Sequence, residues 1–158
     1  MKVALMSDSH DQMDRLHRAV EFCNDHKVSH VLHAGDLVSP FVHRALKKLE
    51  APLTLVFGNN DGERAGLKGI FRDRIFEPPH ELTLDDRRIL MLHDPILLDV
   101  LRQSSPFDLI LYGHLHEIEN SKEAALVVNP GELCGWLTGK STLALWDTRK
   151  NEAKIFTL

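Results

Sequence analysis

Asp8, His10, Asp36, Asn59, Asp61, His93, His114 and His116 are oxygen and nitrogen donors spread over five segments of a 158-residue chain. No thiolate belongs to the set. That mix suits Mn, Fe, Zn, Ni or Co in five- or six-coordinate sites better than a closed structural zinc. The spacing supports convergence. In an extended segment residues i and i+2 point the same way, so Asp8-Ser9-His10 and His114-Leu115-His116 can each offer two donors to one pocket. Glycine precedes Asp36, Asn59 and His114, and glycine permits sharp turns and close backbone approach. Taken singly each piece is ordinary: D-x-H after a strand is usually a turn or cap, and Gly-Asp is usually a turn. The weight lies in their order and in their common place just past strand ends.

The elements that must hold these residues follow from periodicity. Lys2–Met6 reads as a buried strand. Over 11–27, Met13, Leu16, Val20 and Cys23 form one helical stripe. Val31-Leu32, flanked by His30 and His33, reads as a second strand ending at Gly35-Asp36. Ser39-Pro40 opens a helix, with Ser as N-cap and Pro at the first helical position, running to about Leu49. Leu53–Phe57 is a third strand ending at Gly58-Asn59-Asn60-Asp61. This β-α-β-α-β run predicts a parallel sheet, whose ligands bind beyond the carboxyl ends of its strands. Residues 63–73 read as a loop or short helix. A hairpin is expected from 81–84 and 88–92 about Asp85-Asp86-Arg87, then a helix over 96–103 with Ile96-Leu97-Leu98 in its core. Strands at 109–112, 126–129, 142–147 and 153–158 predict a second, largely antiparallel sheet packed on the first.

Composition sets the outer limits. The length fits one domain over residues 1–158. The formal charge is -4 with acids and bases interleaved, so no basic nucleic-acid groove is expected. Bound cations would still let a small anionic substrate in. Cys23 and Cys134 are too few for a disulfide framework and suit a reducing cytoplasm. MKVALMSDSH turns polar too early for a signal-peptide core, and no apolar run approaches the ~20 residues of a membrane span. Ten histidines is many. His17, His26 and His43 fall on helices and read as solvated, His30 as the opening of a strand, His33 as packing near Asp36, and His80 as loop. Trp136 and Trp146 read as core or edge aromatics rather than as a stacking platform.

DSH (8–10), GD (35–36), GNND (58–61), His93 and GHLH (113–116) together resemble, in order, the motif set of calcineurin-like metallophosphoesterases. NPGE, with Asn129, Pro130 and Gly131 as its NPG, resembles the YfcE-like phosphodiesterase branch. The resemblance implies an α/β fold, an αββα four-layer sandwich of two mixed sheets flanked by helices. It implies two divalent metal ions, Mn first, with Ni, Co, Zn or Fe as alternatives. Asp8, His10 and His116 would hold one, Asn59, His93 and His114 the other, and Asp36 would bridge. Asp36, Asn59, Asp61 and His93 would form the catalytic group, with Asp61 orienting a ligand from behind. A hydroxide bridging the two cations would attack the phosphorus of a small phosphate-ester substrate. Two positions depart from the family pattern. Asn60 stands where many members carry a proton-donating His, which predicts a preference for diesters with good leaving groups. Asp94 follows His93 where Gly is usual, placing a carboxylate beside a ligand. The alternative, from another class, is a non-catalytic protein-binding scaffold of the same fold, as in retromer's metallophosphoesterase-like subunit. An edge strand near the C-terminus would also offer a homodimer contact.

Overall fold

A strand covered on both faces carries apolar residues at every position rather than every second one. Val3, Ala4, Leu5 and Met6 are all fully buried, and this strand centres the fold. The computed structural model describes residues 1–158. Its elements are β1 (Lys2–Met6), α1 (Met13–Asp25), β2 (His30–His33), α2 (His43–Leu46), β3 (Leu53–Val56), α3 (Arg64–Phe71), β4 (Ile75–Phe76), β5 (His80–Leu84) and β6 (Arg87–Met91). They continue with α4 (Leu98–Gln103), β7 (Leu109–Leu111), β8 (Ile118–Lys122), β9 (Leu126–Pro130), β10 (Thr142–Asp147) and β11 (Glu152–Thr157). One sheet has the order β11-β10-β1-β2-β3-β4, the other β5-β6-β7-β9-β8.

The two faces of β1 set the layers. Ala4 and Met6 pack with Leu16, Ala19, Val20 and Cys23 of α1 and with Leu67 and Phe71 of α3. Val3 and Leu5 pack the other way, with Ile89, Met91, Leu109, Leu111, Val128 and Trp146, between the two sheets. Outside the second sheet, Leu98 of α4 lies with Leu90, Leu92, Ile110, Tyr112 and Val127. The result is the expected αββα sandwich of two mixed sheets. No helix is long and apolar enough to cross a membrane.

Several expectations need correction. The last two strands belong to the first sheet: β10 pairs antiparallel with β1 and with β11. A strand pattern reports burial, not which neighbour supplies it. The second sheet is not largely antiparallel, because β6, β7 and β9 run parallel and only β5 and β8 are antiparallel edges. The α4 crossover makes this possible. β4, Ile75-Phe76, is too short to show a period, and β8 reads IENSK with one apolar residue, so neither carries a strand signature. The Ser39-Pro40 helix is split: Ser39 Oγ accepts from Phe41 N at 3.3 Å, a 3₁₀ turn spans Pro40–Val42, and α2 stops at Leu46. Ile96 and Leu97 are not core, being 81% and 57% exposed. His80 opens β5 and stacks on Phe76 rather than lying in a loop. His26 and His43 are half-buried against Phe22 and Phe71, rather than solvated.

Trp146 is the largest side chain fully buried between the sheets, and its indole N–H donates to Asn151 Oδ1 at 3.0 Å. Trp146→Ala is expected to cost about 3–5 kcal/mol in urea unfolding. A loss below about 1 kcal/mol would contradict its place in the inter-sheet core.

Candidate metal centre

Both sheets turn the carboxyl ends of their parallel strands to one edge, and the chain leaves each strand there through a tight turn. Asp8 and His10 follow β1, Asp36 follows β2, and Asn59 to Asp61 follow β3. His93 follows β6, and His114 and His116 follow β7. These turns lie alongside one another through backbone hydrogen bonds: Asp8 N to Gly35 O, His10 N to Asp36 O, Gly113 N to His93 O and Cys134 N to Asp8 O, at 3.0–3.1 Å. The convergence does not come from a pleated i, i+2 step. Asp8, His10, Asp36, His114 and His116 all have positive φ, between 43° and 68°. Left-handed turns aim these side chains inward, and such strain collects at functional sites.

Glycine is required where backbones approach. A Cβ on Gly58 would fall 2.1 Å from Asp36 Oδ1, and one on Gly113 would fall 1.9 Å from Ser7 Oγ and 2.7 Å from Asp8 Oδ2. Asp61, 3% exposed, accepts from Val38 N and Gly58 N, both at 2.6 Å. It therefore acts on the β2 and β3 turns through their backbone, and orients no ligand side chain directly.

The seven donors expected from the resemblance fall into two groups sharing Asp36. In one, His10 Nε2 is 3.3 Å from His116 Nε2 and 3.9 Å from Asp8 Oδ1, and His116 Nε2 is 3.5 Å from Asp8 Oδ1. In the other, Asn59 Oδ1 is 2.8 Å from His93 Nε2 and 2.9 Å from His114 Nδ1. Asp36 Oδ2 is 3.4 Å from His10 Nε2, while Asp36 Oδ1 is 3.4 Å from His93 Nε2. Asn60 backs Asp36 with two bonds, its backbone N–H to Oδ1 at 2.8 Å and its side-chain amide to Oδ2 at 2.7 Å.

The electrostatics ask for positive charge. Burial works to raise the Asp36 pKa, but hydrogen bonds from His93 and Asn60 outweigh it and hold this carboxyl well below the usual range. Burial pushes the Asp8 carboxyl up. Burial opposes a charge on His93, yet the hydrogen bond and charge of Asp36 raise its pKa. His93 Nδ1 lies 2.7 Å from Ala34 O, a carbonyl that can only accept, so Nδ1 carries the proton. Nε2 then faces Asn59 Oδ1 at 2.8 Å and Asp36 Oδ1 at 3.4 Å, donating toward them when His93 is protonated and meeting them lone pair to lone pair when it is neutral. Lone pairs this close repel unless a proton or a metal cation lies among them. The donors thus fit divalent cations, and Asp8, Asp36 and His93 bring ligand atoms within 4.8 Å of one another.

Glu132 is a supporting residue that the sequence did not single out, and Cys134, His33 and Asn129 lie close by. Glu132, fully buried, accepts from His116 Nδ1 at 2.8 Å and from the backbone N–H groups of Trp136, Leu137 and Thr138 at 2.5–3.1 Å. These bonds pull its pKa down to about 2 against the effect of burial. It leaves His116 Nε2 free to ligate, as outer carboxylates do at metal sites. The clue was its place directly after Asn129-Pro130-Gly131. Cys134 Sγ lies within the same 4.8 Å span of His10 and His116, but burial pushes its thiol up to about 12. His33 is fully buried with Nε2 3.1 Å from Ser9 Oγ, and burial drives its pKa down to about 3. It packs under the Asp8–His10 turn, matching the packing role expected of it. Asn129 donates to Gly113 O at 3.0 Å and so holds the GHLH turn. Asp94 is exposed and lines a separate cavity with Pro78, Pro79, Leu92, His93, Ile96 and Leu97.

A two-sheet α/β sandwich gathers Asp, His and Asn donors at one strand edge, with Asp8, Asp36 and His93 buried and His10, His114, His116 and Asn59 opening toward the surface, as a metal-assisted hydrolase site would. Residues 1–151 match the calcineurin-like phosphoesterase superfamily domain, and the chain belongs to that family. It is 37% identical over 165 aligned residues to phosphodiesterase MJ0936 of Methanocaldococcus jannaschii, covering 100% of this chain and 99% of that protein. A solved archaeal phosphodiesterase superposes with a TM-score of 0.91 at 36% identity, covering both chains completely. Vps29 of Chaetomium thermophilum superposes with a TM-score of 0.72 at 17% identity, over 100% of this chain and 95% of that one; at that identity the likeness concerns fold alone.

Glu132→Ala would leave three loop amides and the His116 N–H without their acceptor. The expected cost is at least about 3 kcal/mol. In a thermal melt this is a fall on the order of 6–12 °C. An unchanged midpoint would show that Glu132 does not organise this loop.

Proposed function

We propose that this chain is a metal-dependent phosphodiesterase with a dinuclear centre. Asp8, His10 and His116 hold one divalent cation, Asn59, His93 and His114 hold the other, and Asp36 is shared. Manganese is the first expectation from the family resemblance, and this imidazole and oxygen set also suits Ni, Co, Zn or Fe. The observation that carries the reading is Asp36: its two oxygens face two separate donor groups, one through His10 and one through His93. The 37% identity to a phosphodiesterase along the whole chain supports the reaction class.

Divalent cations bound there supply Lewis acidity, lowering the pKa of water and neutralising charge on the phosphoryl group. The chain's own residues prepare the site. Ala34 O and Glu132 fix the tautomers of His93 and His116, so that Nε2 of each points inward. Asn60 anchors Asp36 through both oxygens and brings no titrating group toward the leaving oxygen. Leaving groups stable without a proton are therefore favoured, which means activated diesters above alkyl monoesters. Asp61 keeps the β2 and β3 turns in register by accepting from both. The scaffold reading rests on fold likeness alone, and the retention of all seven donor side chains argues against it.

The test is hydrolysis of bis-p-nitrophenyl phosphate by metal-stripped protein with Mn²⁺ added back. Turnover is expected to return saturably with Mn²⁺ and to exceed that on alkyl monoesters. Asp36→Asn is expected to lower it by more than the roughly 10–100-fold that losing an outer-shell partner costs. No turnover with Mn²⁺, Ni²⁺, Co²⁺ or Zn²⁺, or full turnover in the variant, would sink the assignment.

A further inference from the structure

The two tryptophans of this chain have opposite fates. Trp146 is fully buried as expected, but Trp136 is neither core nor strand edge: it lies in the loop after β9, 62% exposed, and the next residue, Leu137, is 75% exposed. Exposed apolar side chains are ordinary when scattered, but a contiguous pair beside a polar cleft marks a contact surface. This pair is not on a loose tip. The backbone N–H groups of Trp136 and Leu137 both donate to Glu132, whose carboxylate also takes the Nδ1 proton of His116. The loop is thereby indexed to a donor of the metal centre. The indole lies beside the His10 ring, with centroids 5.8 Å apart and planes 29° apart. Beside the two rings opens a cavity of about 430 Å³ lined by His10, Val38, Asn60, His116, Trp136 and Leu137. That volume is in the range of small-ligand sites, roughly 300–1,000 Å³.

The cavity has two chemical ends. His10, His116 and Asn60 form a polar floor at the metal centre, and Trp136, Leu137 and Val38 form an apolar wall. A ligand that satisfies both carries an anionic phosphoryl group and a flat apolar group one bond away. We propose that Trp136, flanked by Leu137 and Val38, is the specificity ledge that stacks an aromatic ester group of the phosphodiester substrate. The inference rests on the phosphodiesterase reading for the word substrate, but the binding claim stands on the cavity itself. The physical basis is offset stacking on the indole, which offers a large rigid face at low entropic cost.

The test is calorimetric titration of the Mn²⁺-loaded full chain with phenylphosphonate and with methylphosphonate, which share the anionic head and are not hydrolysed. The wild type is expected to prefer the phenyl ligand by roughly five- to a hundred-fold, the range of aromatic stacking. Trp136→Ala should bring that ratio close to one while changing methylphosphonate binding by no more than about two-fold. Trp136→Phe should restore most of the preference. A wild type that does not discriminate overturns the proposal. So does a preference that survives Trp136→Ala, or an equal loss for both ligands, which would mean that Trp136 only shapes the site. Turnover of bis-p-nitrophenyl phosphate by the same samples separates the two claims: an inert protein with an intact phenyl preference would remove the reaction and keep the ledge.

Discussion

Asp36 is a carboxylate with 1% exposure, placed where two strand-end turns meet. A buried carboxylate is stable only with donors or cations around it. Asn60 supplies two hydrogen bonds, and His93 and His10 stand 3.4 Å away on opposite oxygens. Everything near the site is arranged around that demand. Gly58 leaves the space the carboxylate fills, and Asp61 holds the β3 turn that carries Asn59 and Asn60 against the β2 turn that carries Asp36. Removing its negative charge would remove the reason for two imidazole groups to face each other across it.

The scaffold behind this carboxylate is what tolerates the strain. Five of the seven donors sit at positive φ, a conformation costing L-residues of order 1–3 kcal/mol each when the surroundings impose it. The surroundings are two sheets whose central strands are apolar on both faces, locked by Leu5, Met91, Leu111 and Trp146 between them. Loops at the carboxyl ends of β1, β2, β3, β6 and β7 are short, so the rigidity of the strands passes directly to the donors. The same logic reaches the β9–β10 loop through Glu132, which couples His116 to the Trp136 ledge.

The donors were legible in the sequence because their types are unusual together and because each follows a strand-like run. The central strands were legible from their runs: Val3–Met6 and Leu109–Leu111 are apolar without interruption. What was not legible is how segments choose partners. β10 carries the same apolar signal as a strand of the second sheet, yet it closes on β1, because pairing is decided by the free edge available. β8 is an edge strand whose one apolar residue, Ile118, is exposed, and it gave no signal. The D-x-H and H-x-H side chains do come together, but left-handed turns rather than a pleat bring them there. Glu132 and Trp136 act through the folded path of a loop, and a single carboxylate or indole carries no mark of that path.

The fold is shared with Vps29 at low identity, so the architecture does not separate an enzyme from a scaffold. The proposed function therefore rests on the donor arrangement and on the 37% identity to a phosphodiesterase. The most direct measurement is anomalous diffraction at the manganese edge from crystals grown with Mn²⁺. The account predicts two peaks per chain, one against Asp8, His10 and His116 and the other against Asn59, His93 and His114, with the Asp36 carboxylate between them. A single peak, peaks that do not share Asp36, or none would contradict it.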